Sequence, residues 1–161
     1  MDIDQSNRWL TFLANIGVII GLIFLALEIQ QSNRIAIAAT EIDVRASFSA
    51  LNESIYSDPN LAKLLVRLAD ANAEVAPDED IRIYGFILQQ LNTYMAVETA
   101  YDNGLVPPAT FEAMESDLRG MMINLPAVLT YYRRAYDTYP EPNQTKVFQT
   151  VGKLLSELED S

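Results

Sequence analysis

The sequence predicts an all-α fold: one N-terminal transmembrane helix that continues into a long helix, packed with about five shorter helices in an acidic bundle. Three observations carry this reading. From Trp9 to Leu27 nineteen residues bear no charge, and only Thr11 and Asn15 interrupt their apolar character. No later segment alternates apolar and polar residues with period two, so strands are not expected. Proline and glycine recur at intervals that divide the remainder into helix-sized pieces.

At about 1.5 Å per residue, a helix from Trp9 to Leu27 covers roughly 28 Å, close to the hydrocarbon thickness of a bilayer. A cleaved signal peptide would show a basic start, a shorter apolar stretch and a small-residue cleavage site. Here the run follows Met1-Asp2-Ile3-Asp4 and a single Arg8, and it leads into helix-forming Glu28-Ile29-Gln30-Gln31. The core helix of a soluble bundle seldom stays uncharged for so long, because one face normally meets water. Trp9 at one end and Glu28 at the other suit an interface-to-interface span. The expected organisation is an N-terminal tail over 1–8, a transmembrane helix over 9–28 and an acidic helical domain over 29–161.

No proline or glycine stands between Leu22 and Asp58. The first helix is therefore expected to continue over 29–57, to about Tyr56. Asp58-Pro59 supplies an N-cap and a proline at the first helical position. The second helix carries Leu61, Leu64, Leu65 and Leu68 on one face and is expected to end near Asn72. Pro77-Asp78-Glu79-Asp80 opens a third helix with acids at its positive end. That helix is expected to run to Asn103, with Gly104 as its stop. Its apolar positions include Tyr84, Ile87, Leu91, Tyr94 and Tyr101. Pro107-Pro108 begins a fourth helix through about Asn124, and Leu125-Pro126 separates it from a fifth over Ala127 to Tyr139. After Pro140 and Pro142, Thr145 to Leu158 reads as an amphipathic helix presenting Val147, Phe148, Val151, Leu154, Leu155 and Leu158.

The chain has no Cys and no His. That removes disulfides, thiol chemistry, the usual zinc ligands and a histidine general base. Neither a cofactor nor a metal is expected. The formal net charge of −11 opposes nucleic acid, whose phosphates require basic patches. It equally opposes docking on anionic lipid, so any membrane attachment falls to the apolar run. Arg8 against Arg34 and Arg45 is too small an asymmetry for the positive-inside rule to fix sidedness. A cytoplasmic C-terminal domain is the expectation adopted. The sequons Asn52-Glu53-Ser54 and Asn143-Gln144-Thr145 are read as incidental without a eukaryotic secretory route.

The block LANIGVIIGLIFLALEIQQSNRIA, followed by SIYSDPNLAKLL, resembles a loose group of uncharacterised bacterial single-pass membrane proteins. Members begin with one hydrophobic helix ending in a Glu-Ile-x-Gln-like boundary, continue as a long helix and restart at a Ser-Asp-Pro turn. FILQQLNTYMAVETAYDNGL is similar to their aromatic helix with a glutamate before a Gly-Leu stop. The resemblance covers more than half of the chain. It departs at Tyr131-Tyr132-Arg133-Arg134, where that group commonly has tryptophans. It implies an all-helical fold and a bacterial origin, and it implies no activity.

Several constellations bear on function. Gly17-x-x-x-Gly21 is a small-x-x-x-small motif that permits close approach of two membrane helices. From Gly21 a register of alternating four- and three-residue steps passes through Leu25, Glu28, Ser32, Ile35, Ala39, Ile42, Ala46 and Ser49. This is a helix–helix seam running from lipid into water. Roughly opposite lies a second strip: Ile37, Val44, Phe48, Leu51 and Ile55. One strip is expected to pack on the chain's own short helices, leaving the other for a partner; short helices covering both would leave a monomer. Asn15, polar and deep in the span, points away from the glycine seam. It is suited to a bond with another subunit, worth about 0.6 kcal/mol, to a bond with its own backbone, or to a position shallow enough to meet water.

Glu98 shares a helical face with Tyr84, Leu91, Tyr94 and Tyr101. A carboxylate among aromatics is a candidate cation ligand or proton donor, or else a buried partner for Arg133, Arg134 or a tyrosine hydroxyl. Asp78-Glu79-Asp80 lacks EF-hand spacing and is read as macrodipole compensation. The tyrosines at 131, 132, 136 and 139 are read as core and rim. Together these features point to a non-enzymatic membrane-anchored accessory or scaffold subunit. It would associate, with itself or a larger membrane protein complex, through its long N-terminal helix in the bacterial inner membrane. The alternative is a membrane-tethered small-ligand or ion-sensing helical domain with a pocket at Tyr94, Glu98 and Tyr101.

Overall fold

Helix α1 (Ile3–Ser57) runs without interruption, as a stretch free of proline allows. The computed structural model describes residues 3–139 and 141–159. The chain divides into two units between Ala39 and Thr40. The first unit is the N-terminal part of α1. There the hydroxyl of Thr11, which apolar surroundings would leave unpaired, donates to the Asn7 carbonyl at 2.9 Å. Trp9 and Phe12 meet edge-on with ring centroids 5.9 Å apart. By length and composition α1 contains a stretch able to cross a membrane, and none of that most apolar stretch is buried within the chain.

The second unit contains the last turns of α1 and five further helices. These are α2 (Pro59–Arg67), α3 (Pro77–Asp102), α4 (Pro108–Asn124), α5 (Leu129–Thr138) and α6 (Lys146–Glu159). Single 3-10 turns occupy Pro126–Val128 and Pro142–Gln144. The fold is all-helical, with no strand among the described residues.

Local chemistry explains where most of these helices start and stop. Asp58 Oδ1 accepts the amides of Asn60 at 2.9 Å and Leu61 at 3.3 Å, which caps α2. Its other oxygen pairs with Arg82 of α3. Helix α2 ends at Arg67 rather than near Asn72, as the sequence suggests. Asp70 Oδ1 accepts the Asn72 amide at 2.9 Å, a turn that competes with helical bonding. The Leu68 carbonyl instead accepts the Ala127 amide, 3.2 Å away.

At the start of α3, Glu79 Oε2 accepts the Ala76 amide at 3.0 Å and the Arg67 guanidinium at 2.6 Å. The hydrogen bond from Arg67, then that from Ala76, holds the Glu79 carboxyl below the usual carboxylate range. Asp80 pairs with Arg134 at 3.2 Å, and the Arg134 guanidinium lies 4.1 Å above the Tyr84 ring. Helix α3 closes at Gly104, which takes φ +69. The Gly104 amide bonds the Tyr101 carbonyl at 2.9 Å and the Leu105 amide bonds that of Ala100 at 2.8 Å. This is a Schellman arrangement, which requires the left-handed residue.

The core of the second unit is built on α3, whose Ile83, Ile87, Leu91, Tyr94 and Val97 are buried. Around them pack Leu64 and Leu68, Leu118 and Met122, Tyr132, and Val151, Leu154 and Leu155. Each such side chain contributes about 1.5–3 kcal/mol by leaving water. From α1, Leu51 is buried and Val44, Phe48 and Ile55 pack against the same core. Tyr131 and Tyr132 are buried, while Tyr136 and Tyr139 flank them. The ring of Tyr139 stacks on Phe148 at 4.2 Å.

Gly152 in α6 allows close approach of Tyr136: a Cβ at 152 would lie 2.8 Å from Tyr136 Cε2. Alanine is the better helix former by about 1 kcal/mol, but displacing the ring costs about 1–3 kcal/mol. Gly152→Ala is expected to be destabilising in urea melts. In a Tyr136→Ala background the same substitution is expected to stabilise, since only the helix-propensity gain is left.

Candidate functional site

The association face predicted on α1 is composed of exposed side chains. Asn15, Glu28, Ile35, Ala39, Ile42 and Ala46 are all exposed. A Cβ added at Gly17 or Gly21 would meet nothing within 4 Å among the described residues. Over the stretch of α1 in the second unit the two strips are distinguished. Val44, Phe48, Leu51 and Ile55 turn to the core, whereas Ile42 is 65% exposed. Ile37, the remaining member of the packing strip, lies in the first unit and is 38% exposed.

Glu98 belongs to a different part of the fold. Its carboxylate accepts the backbone amides of Lys146 at 2.8 Å and Val147 at 3.0 Å, the first two residues of α6. Thr145 Oγ1 accepts the amide of Phe148 at 3.3 Å, and the Thr145 carbonyl accepts that of Gln149 at 3.0 Å. Every amide of the first turn thus has an acceptor, and a buried anion faces the positive helix end. The partners of Glu98 are amides rather than Arg133 or Arg134. The 3-10 turn at Pro142–Gln144 leads directly into the start of α6 that Glu98 caps. Tyr101 and Asp102 receive the Lys146 side chain: its ammonium pairs with Asp102 and lies 4.8 Å from the Tyr101 ring centroid. Tyr101 itself stacks on Phe111 at 5.2 Å.

Tyr94, grouped with Glu98 and Tyr101 by helical register, enters a separate network. Its hydroxyl donates to Asp117 of α4 and accepts from Gln90 Nε2 at 3.1 Å. Gln90 Oε1 in turn accepts the hydroxyl of Tyr132. Gln90, Tyr94 and Tyr132 are all buried. Burial, then the hydrogen bond to Asp117, pushes the Tyr94 hydroxyl well above the usual phenol range. Burial, then the neighbouring Tyr94 and Asp117, does the same for Tyr132. Both hydroxyls therefore stay protonated donors.

Gln90 and Asp117 are the members of this network that sequence reasoning misses. A signal for Gln90 does exist: it is the one polar residue in the stripe Ile83, Ile87, Gln90, Tyr94, Val97, spaced four and three. Asp117, on the exposed side of α4, has none. No group of three Asp or Glu side chains that could hold a metal occurs among the described residues. Comparison with protein-family models, with curated proteins and with solved structures finds no match to this chain.

Proposed function

We propose that this chain is a non-enzymatic, membrane-anchored accessory or scaffold subunit that associates, with itself or a larger membrane protein complex, through its long N-terminal helix. The observation that carries the reading is the solvent condition of α1: its most apolar stretch has no burial within the chain. A soluble core helix of that composition would be mostly covered by its own fold, because so large an exposed apolar surface is not stable in water. Lipid tails supply the missing environment. The helix also passes the end of the apolar run and continues to Ser57, which suits a retained anchor better than a cleaved leader. The bacterial inner membrane, a single crossing and a cytoplasmic second unit complete the proposal.

The test is twofold. Alkaline carbonate washing of membranes should leave the full chain in the pellet, and gentle solubilisation should recover it with bound neighbours or as an oligomer. Recovery as a detergent-free monomer in the supernatant would overturn the anchor. For the association face, Gly17→Leu combined with Gly21→Leu is expected to weaken assembly in detergent, read by sedimentation. The thermal melt of the second unit should stay unchanged, because both glycines belong to the first unit. Wild-type assembly by that variant would remove the glycine seam from the proposal.

A further inference from the structure

The second unit carries a groove of about 510 Å³ lined by Phe48, Ala109, Thr110, Ala113, Met114 and Asp117. Apart from the Thr110 hydroxyl and one carboxylate the lining is apolar, and it includes neither Lys nor Arg. The carboxylate is held in an unusual way. Asp117 is exposed, yet its Oδ2 accepts a hydroxyl from Tyr94, which is fully buried and tied through Gln90 to Tyr132. The donors all run one way, from the core to the groove. An aspartate at a surface needs no such support for its own solvation, and apolar packing in place of buried polar groups is often as stable. A carboxylate fixed by a buried relay is a preorganised acceptor.

Phe48 brings a second element. Its ring lies 5.8 Å from that of Tyr94, so an aromatic side chain and the fixed carboxylate line one groove. That pair recognises an ammonium: the carboxylate takes its N–H or its charge, and the ring takes the polarised carbons beside the nitrogen. Ala109, Ala113 and Met114 then suit an apolar body. A bare divalent cation needs about six oxygen ligands and finds too few here. An uncharged apolar ligand would desolvate the carboxylate without pairing it. The volume lies within the range of small-molecule sites, and the chain's net charge of −11 raises the local concentration of cations. We infer that this groove is a binding site for a small organic monocation, an ammonium group carrying an apolar body.

The inference is independent of the association face and is tested on the full chain in nanodiscs of zwitterionic phosphatidylcholine. Calorimetric titration with 2-phenylethylammonium is expected to give saturable heat over empty nanodiscs, with 2-phenylethanol binding roughly tenfold more weakly. Asp117→Asn should lose roughly tenfold in affinity for the ammonium. Ala113→Leu, which fills the groove and leaves the carboxylate in place, should lose a similar factor and guards against misfolding of the first variant. Equal affinity for the alcohol, wild-type affinity in both variants, or no saturation in the millimolar range would each overturn the site.

Discussion

Glu98→Ala is expected to lower the melting temperature of the second unit by roughly 10 °C, equivalent to about 2–4 kcal/mol. The reason lies in the start of α6. Thr145 serves the amides of Phe148 and Gln149, and Glu98 serves those of Lys146 and Val147. Glu98 is only 8% exposed, so water does not readily replace its oxygens. Removing the side chain strands two donors and takes a negative charge from the positive end of the helix. Glu98→Gln keeps one acceptor oxygen but loses the charge and turns an amide donor toward a backbone donor. It is expected to cost about half as much. Thermal circular dichroism checks the size of the effect, and hydrogen exchange at Val147 checks its origin. Unchanged protection of that amide in Glu98→Ala would contradict the capping role.

The starts of α2, α3 and α4 are local events and were legible as such. Asp58-Pro59, Pro77 and Pro107-Pro108 each open a helix with the fixed φ of a proline in its first turn, and at Asp58 a side-chain cap adds to it. Gly104 is likewise a local stop, because only a residue tolerant of positive φ closes α3 in this way. The end of α2 was not legible. It depends on the turn at Asp70 and on a bond from Leu68 to Ala127, a residue far along the chain.

The same division applies to the candidate sites. Periodicity separates the two strips of α1, but both are apolar enough to face a core. Only packing of Val44, Phe48, Leu51 and Ile55 distinguishes them within the second unit. For Glu98 the helical register suggests aromatic neighbours, yet the amides its carboxylate accepts lie 48 and 49 positions away. Backbone amides leave no trace in a side-chain pattern, so arginine was the natural expectation. Gln90 was readable in principle as a polar break in an apolar stripe. Its bond to Tyr132 across 42 positions was not.

Gln90→Leu is expected to destabilise the second unit by about 2–4 kcal/mol even though it exchanges an amide for an apolar side chain of similar size. Tyr132 is fully buried and its hydroxyl donates to Gln90 Oε1. Burial, reinforced by Tyr94 and Asp117, keeps that hydroxyl protonated, so it cannot escape the loss by ionising. The sulfur of Met121, 3.4 Å away, is a poor substitute acceptor. Tyr94 keeps its bond to Asp117 and loses only the donor from Gln90. Tyr132→Phe alone instead leaves Gln90 Oε1 without its partner and should cost about 1–2 kcal/mol. With both changes together the buried donor and acceptor vanish as a pair, and two apolar side chains occupy their space. The double variant should therefore be more stable than the sum of the single losses predicts, by about 1 kcal/mol or more. Urea melts of the four chains measure this coupling directly. Strict additivity would mean that Gln90 and Tyr132 contribute separately, and the relay that fixes Asp117 would then lose its first link.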